Sequence, residues 1–456
     1  ESGAYRLYAK LHQEDELPVL SGRQDDGVWK GGRAGFRADW PISEGAFLLE
    51  GEFFKEMADV RDYRGTYLLG RWEQRDGGGA VGTLQGYYYR YDNKTDLLNL
   101  LEDTFDLEYR RQFAPLGRHN IIAGAGYRWI RSDIDPKQAN QVREPTRTDH
   151  LFSAFLQDDI RLIDDELYLT LGAKLEHNDY TGFEVQPNAR LRWSPAEGQT
   201  LWAAVSRAVR TPSRAESDLT LFRPSGEVSV PVLGRIPVIV KLVGNSGMES
   251  EELIAYEAGY RWQISPRLSV DASLFLNDYD RLRTFDLVGS PTLILFPAPM
   301  VIQQATAGNQ LHGRTHGLEV VADYQPRDWW RLQGSYSYLR MNLTPDAGST
   351  DPTGAQAEDE SPVHQWTLRS SVDLKDDIEV DLWLRYVDDV PAFAIDRYLT
   401  LDARLGWQAG KHFGLSLVGR NLLDSTHVEY RAFSFDQVPR TVGVEREVYL
   451  MAEWRF

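Results

Sequence analysis

The sequence offers few groups suited to covalent chemistry. It contains no cysteine, which excludes thiolate nucleophiles, thiolate metal sites and disulfides. Its 9 histidines are scattered. His312 and His316 have the spacing of a helical metal pair, but in an extended segment four residues span about 13 Å, too far for one ion. They are expected to be solvated loop histidines. No phosphate-cradling glycine loop, dinucleotide fingerprint or Gly-x-Ser-x-Gly elbow occurs. Carboxylates are abundant, yet none stands out as a catalytic pair, so no enzymatic activity is expected. The clusters Glu14-Asp15-Glu16, Glu358-Asp359-Glu360 and Asp388-Asp389 suit solvated loops, with loop-bound Ca²⁺ as the alternative. Arg210, Arg214, Arg281 and Arg283 are the candidates for substrate contact, because guanidinium groups form bidentate charge-assisted bonds to anions. Internal charge pairing accounts for the same four arginines equally well.

The elements that must hold these groups are constrained by composition. The chain has 456 residues, 42% hydrophobic and 12% aromatic, with a formal charge of -18. That length suits two or three ordinary domains or one large barrel. The acidic balance argues against nucleic-acid partners, which require basic patches. Mean hydropathy is -0.44, and no apolar run approaches the roughly 20 residues of a spanning helix. Strands that cross a membrane stay open. The opening Glu1-Ser2-Gly3 lacks a basic and an apolar targeting region, so a processed or truncated chain is expected.

The dominant pattern is period-two alternation. Leu167, Leu169, Leu171, Ala173 and Leu175 share one face, and Tyr168, Thr170, Gly172, Lys174 and Glu176 the other. The same split recurs at Leu268–Asn277, Ile378–Tyr386 and Tyr398–Trp407. It places Asp271, Glu379, Asp381, Arg385, Asp402 and Arg404 at mid-strand, where a wet interior accommodates them. About twenty such runs occur, centred near residues 8, 37, 51, 69, 87, 107, 126, 156, 171, 189, 204, 258, 274, 318, 334, 368, 382, 403, 417 and 450. Many are about ten residues or longer, whereas soluble strands usually stop near five or six and tilted membrane strands need roughly nine to eleven.

Connections alternate as well. Tight turns are expected at 41–45, 75–78, 114–118, 163–165, 194–198, 265–267, 326–328, 375–377 and 410–412. Longer insertions fall at 14–28, 134–146, 211–252, 285–307, 342–362 and 423–443. Short turns on one rim and long loops on the other are the mark of an outer-membrane barrel, and both termini on the short-turn rim require an even strand number. The predicted fold is therefore all-β, a single transmembrane antiparallel barrel domain over 1–456, with large extracellular loops near 211–252, 285–307, 342–362 and 423–443. Within 211–252, Val228, Val230 and Val232 followed by Pro237-Val238-Ile239-Val240 suggest an extra hairpin or a folded loop. Tyr87-Tyr88-Tyr89, Trp40, Trp329-Trp330, Trp407 and Trp454 suit an interfacial girdle.

Specific motifs add a family. Leu450, Ala452, Trp454 and Phe456 lie on one face of a final strand that ends on an aromatic, which resembles the assembly signal of Gram-negative outer-membrane barrels. Val418-Gly419-Arg420-Asn421-Leu422-Leu423-Asp424 resembles the run near the end of TonB-dependent receptors, with Asn421, Leu422 and Asp424 as its marked positions. Ala204–Ser213, with Arg210 and Pro212, is similar to the segment entering their long mid-barrel loop. Gly244-Asn245, Glu249–Leu253 and Tyr256–Trp262 resemble the pattern that leads into the following strand, and Phe155–Asp159 agrees. The resemblance covers essentially the whole chain.

That resemblance implies a 22-stranded barrel preceded by a plug. Ala4–Lys10 looks like the third barrel strand, so about 20 of the 22 strands are expected here, without the plug and first hairpin. It also implies a multi-pass protein of the Gram-negative outer membrane that imports a scarce ligand, most often an iron–siderophore or similar metal chelate. Implied partners are outer-membrane lipid, the barrel-assembly machinery and, through a plug not present in this chain, the TonB energy-coupling complex. A monomer with no resident cofactor is expected. A passive porin is the alternative, and a soluble all-β binding protein is a further one.

Overall fold

Alternation is realised as strands along the length of the computed structural model, which describes residues 3–14, 19–21, 29–58, 61–432 and 440–455. Three members of a 23-stranded sheet, Gln141–Val142, Leu219–Val230 and Gly234–Val243, belong to the rim, and the other twenty build the wall. Wall pairing is antiparallel throughout. It runs from Ala4–Glu14 on Trp29–Ile42 to Phe413–Arg420 on Glu447–Trp454. Each of the twenty expected strand centres falls within a different wall strand. The fold is an all-β antiparallel barrel.

All nine tight turns lie on one rim, among them 164–166, 266–267 and 376–377. Left-handed backbone at Glu44 and Asp165 lets these short connections reverse the chain. The insertions occupy the opposite rim, although 95–97 and 179–181 are short there too.

The expected loop at 285–307 needs correction. Leu268–Ile294 and Met300–Arg327 are continuous strands of 27 and 28 residues that rise past the wall and leave only 295–299 as connection. Leu287 pairs with Ala305 and Ile294 with Met300. The prolines of this segment are accommodated. Pro291 falls in the irregularity between Val288 and Thr292, where the ladder needs no N–H from it, and Pro297 and Pro299 lie in the turn. His312 and His316 are corrected with it, because they sit inside a strand rather than a loop.

The faces sort by polarity. Leu171, Leu175, Leu274, Leu276, Leu382 and Leu405 are outward and more than 40% exposed, as side chains are when hydrocarbon rather than protein covers them. Inward charges pair with one another. Lys174 Nζ is 2.8 Å from Glu176, Arg128 is 2.8 Å from Asp106, and Arg404 lies 2.8 Å from Glu379 and 3.1 Å from Asp381. Such pairs keep a polar lumen from carrying isolated charge. Trp40, Trp72, Trp193, Trp262, Trp329, Trp407 and Trp454 are exposed within a few residues of the short turns, forming a girdle at that rim.

The insertion at 211–252 folds as a hairpin of Leu219–Val230 against Gly234–Val243. Its second strand runs parallel to the raised part of Met300–Arg327, with Val238 opposite Val301 and Val243 opposite Thr306. Its first strand pairs with Gln141–Val142, in the connection four wall strands away from its own. The resulting rim sheet bridges a sector of the barrel mouth. Ile236, Ala305 and Ala307 are buried where its strands meet.

Candidate functional site

The charged centre of the mouth forms where the 211–250 connection leaves and rejoins the wall. Gln199–Arg210 and Glu251–Ser265 are adjacent, so Arg210 lies opposite Glu251. Pro212 is buried and directs the chain into a one-turn helix, Arg214–Asp218. Ser213 caps that helix: its hydroxyl accepts from the Glu216 amide, and the Glu216 carboxylate accepts from the Ser213 amide at 2.7 Å. The cap fixes Glu216 with its carboxylate turned toward the wall.

Two guanidinium groups converge on it. Arg210 donates Nη1 and Nη2 to Glu216 at 3.1 and 3.0 Å, and Nε and Nη2 to Glu251 at 2.7 and 2.6 Å. Arg283 donates to Glu216 at 3.1 Å, while its amide donates to Glu251 at 2.9 Å. Burial opposes ionisation of Glu216, but the Arg210 fork and the Ser213 amide outweigh it and hold the carboxyl down at about 2. Glu251 and Glu216 in turn push the Arg210 guanidinium up.

Arg281 bridges Glu249, at 3.1 Å, and Glu252. Arg214 points the other way. It donates to the backbone carbonyls of Ser132, at 2.7 Å, and Pro145, at 3.1 Å, tying the helix to the neighbouring rim. The structure thus brings Arg210 and Arg283 together on Glu216 and Glu251, places Arg281 in a separate pairing with Glu249 and Glu252, the latter shared with Arg207, and sets Arg214 on the far side of the helix. Arg210 and Arg283 keep nearly half their side-chain surface open, at 46% and 49%.

Several members of this centre carried no motif. Asp218 is buried between Arg147, at 3.5 Å, and Arg214, at 3.6 Å. Arg147 also binds Asp149 at 2.6 Å and stacks over the Tyr180 ring at 4.3 Å. Their partners arrive from distant segments, and spacing along the chain does not expose them. Glu216 was open to detection through its Ser-x-x-Glu spacing.

The receptor-like motifs acquire local reasons. Gly244 donates its amide to Leu219, and a Cβ on it would stand 2.8 Å from the Ser217 carbonyl carbon and 2.9 Å from the Asp218 nitrogen. Only glycine fits that approach. Asn245 accepts from Gly247 and donates to Ala307, closing the loop onto the raised strand. Asn421 is 2% exposed with φ of 48°; its amide donates to Asp402 at 2.9 Å and its side chain to Val444 at 3.0 Å. Leu422 packs on Gly419, and the Asp424 carbonyl accepts from Arg446. Leu450, Ala452 and Trp454 are exposed on the final strand, and Phe456 lies outside the described residues.

The acidic clusters, read as solvated loops with bound Ca²⁺ as the alternative, have local partners where they are described. Glu358 accepts the Leu343 amide, Asp388 accepts the Tyr386 hydroxyl at 3.2 Å, and Asp15 and Glu16 lie outside the described residues. Among the described residues, no three His, Asp or Glu side chains gather as a metal site. Deeper in the lumen, Asp106, Arg128, Lys174 and Glu176 line a cleft of about 140 Å³. The arrangement suits recognition by charge and shape at the mouth.

Comparison with known proteins agrees with this architecture. Residues 13–422 match the family model described as TonB dependent receptor-like, beta-barrel. No curated protein matches the sequence. Among solved structures, the siderophore receptor PirA from Acinetobacter baumannii superposes with a TM-score of 0.75 at 13% identity, over 100% of this chain and 75% of that one. A point mutant of the ferric enterobactin receptor PfeA from Pseudomonas aeruginosa, in complex with enterobactin, gives 0.73 at 15% identity, over 99% and 76%. The copper transporter OprC gives 0.74 at 14% identity, over 100% and 76%. At these identities the likeness is one of fold.

Proposed function

The chain belongs to the TonB-dependent receptor β-barrel family, and from that premise we propose that it serves in the outer membrane of a Gram-negative bacterium as a receptor importing a scarce metal chelate, an iron–siderophore complex before others. One observation carries the reading. The mouth on the long-connection rim is walled by a raised sheet and by partly open guanidinium groups, while the surface below is an apolar band. A diffusion channel needs no such superstructure.

In this reading the long-connection rim faces the exterior. Ligand enters beside the rim sheet and meets Arg283, whose remaining N–H groups match the carboxylate or phenolate oxygens of an anionic chelate, next to Arg210, whose own fork is committed to Glu216 and Glu251. Glu216 and Glu251 hold both forks in place before ligand arrives, which lowers the ordering cost of binding. Arg281 and Arg214 frame the mouth. Energy for release comes from the inner-membrane coupling complex, as the family premise implies, and the barrel does no covalent chemistry.

The test is uptake of radiolabelled ferric chelates by iron-starved cells that carry the full-length gene or its deletion. Loss of one chelate's uptake on deletion, restored by wild type and weakened by Arg283→Ala, supports the proposal. Large steady currents in planar bilayers from the full-length product, with chelate uptake unchanged on deletion, would instead make it a porin.

A further inference from the structure

Two asparagines clasp the loop that returns from the rim hairpin to the wall. Residues 244–250 lie outside any strand, so their backbone groups need partners other than a ladder. Asn245 reaches from the loop to the Ala307 carbonyl at 3.1 Å. Asn309 reaches the opposite way. Its Oδ1 accepts the Glu249 amide at 2.9 Å, and its Nδ2 donates to the carbonyls of Glu249, at 3.1 Å, and Arg281, at 2.7 Å. One side chain thus satisfies three backbone groups on two segments, 60 and 28 positions away. Only a carboxamide offers one acceptor and two donors at that reach. Reversed, it would set its oxygen against both carbonyls, so the network fixes its orientation.

The Arg281 end of the clasp is a turning point. Pairing of the raised strands shifts register on both sides of Leu282, once after Tyr279 and again before Thr284. Arg281 sits in the first shift with φ of 54°, a left-handed conformation that a side chain disfavours and the surroundings must hold. Two residues on, Arg283 donates its amide to Glu251 at 2.9 Å and its guanidinium to Glu216 at 3.1 Å. The bond from Asn309 to the Arg281 carbonyl therefore fixes the kink from which Arg283 departs. The same side chain holds the backbone of Glu249, whose carboxylate meets Arg281 Nη1 at 3.1 Å. All three bonds of Asn309 end on backbone, so it acts on the mouth through where it places Arg283.

We propose that Asn309 is the positioning residue for Arg283, holding the Arg281 kink so that the guanidinium points into the mouth before ligand arrives. The inference rests on the receptor reading for the ligand being an anion, and on the clasp alone for the placement of Arg283. Without that placement, binding must also order one long side chain, which weakens a ligand about three- to tenfold.

The experiment uses the full-length gene product in non-ionic detergent, with Asn309→Leu and Asn309→Asp, two changes of similar shape that remove both donors. p-Hydroxyphenylglyoxal labels free guanidinium groups, and peptide mass spectrometry follows Arg283 and Arg210 separately. Arg283 should label at least about threefold faster in both variants, the lower end of that range. Arg210, on a wall strand and forked to Glu216 and Glu251, should keep its wild-type rate. An unchanged rate at Arg283, or equal acceleration of Arg210, would overturn the assignment, the second because it marks general loosening. Loss of heat-modifiable mobility in both variants would do the same by making Asn309 a folding residue; if only one loses it, the other carries the test. In cells, the ferric chelate whose uptake is lost on gene deletion should show a KM raised about three- to tenfold in Asn309→Leu at unchanged maximal rate, with no further rise over Arg283→Ala when the two are combined. A fall in maximal rate alone would count against positioning. Uptake of every chelate independent of the gene would sink the receptor reading and leave the labelling result standing.

Discussion

Leu171→Arg probes the face assignment most directly. Leu171 is the middle of five outward residues running from Leu167 to Leu175, beyond which His177 begins the polar collar. Four residues at 3.3 Å each, tilted near 40°, put it about 10 Å from either end of that run, close to mid-bilayer. Arginine there costs about 2–4 kcal/mol. The adjacent Thr170 faces the lumen, where its hydroxyl donates to Asp159 at 2.7 Å. Thr170→Arg gives up that bond but gains Asp159 as an ionic partner, and the opposing Arg190 adds only a few tenths of a kcal/mol of repulsion. Its net cost should stay within about 1 kcal/mol. Urea titrations of folding into phosphatidylcholine vesicles, followed by tryptophan fluorescence and heat-modifiable mobility, measure both. Equal costs, or a larger one at Thr170, would refute the assignment of leucines to lipid and charges to the lumen.

Three further outcomes follow from the mouth and the rim. Gly244→Ala forces a Cβ against Ser217 and Asp218 backbone and should destabilise the loop junction by about 1–3 kcal/mol, seen as faster proteolysis within 211–250 while the wall stays intact. Glu216 has a folded pKa lowered to about 2, so its contribution is complete above the unfolded value near 4.3 and drains away as pH falls toward 2. Glu216→Gln should remove that acid-dependent loosening of the loop, whose ceiling is about 3 kcal/mol, as read by hydrogen exchange across that window. At Asn421, whose φ is positive, glycine keeps the backbone and loses the Val444 bond, about 1 kcal/mol, whereas leucine adds backbone strain. Melting temperatures should fall in the order wild type, Asn421→Gly, Asn421→Leu; any other order would contradict the strained-backbone account.

The wall was legible because its two signals reinforce each other. Alternation assigns faces, and turn residues mark where each strand must end, so even the final strand around Leu450 was placed correctly. Legibility failed where those signals diverge. Gly289, Pro291 and Pro297 gave 285–307 a loop's composition, yet two raised strands hold it through cross-strand pairing that composition does not show. The hairpin within 211–252 was visible through its valines, but its parallel seam with Val301–Thr306 was not, since parallel partners need no shared turn. The four arginines were marked by residue type and location. Their acids come from elsewhere: Arg283 reaches Glu216 across 67 positions, a distance no local pattern spans.

The rim hairpin has a practical consequence. Its base is locked by the seam from Val238 to Val243, while its apex turn is held by a single bond from the Leu233 amide to Val230, with Val232 fully exposed. Shape is thus stored at the bottom, and the tip is left free to change. With the long-connection rim outermost, as proposed above, a short foreign peptide spliced in at Val232 would be carried on a stiff stalk clear of the barrel, a ready platform for epitope display.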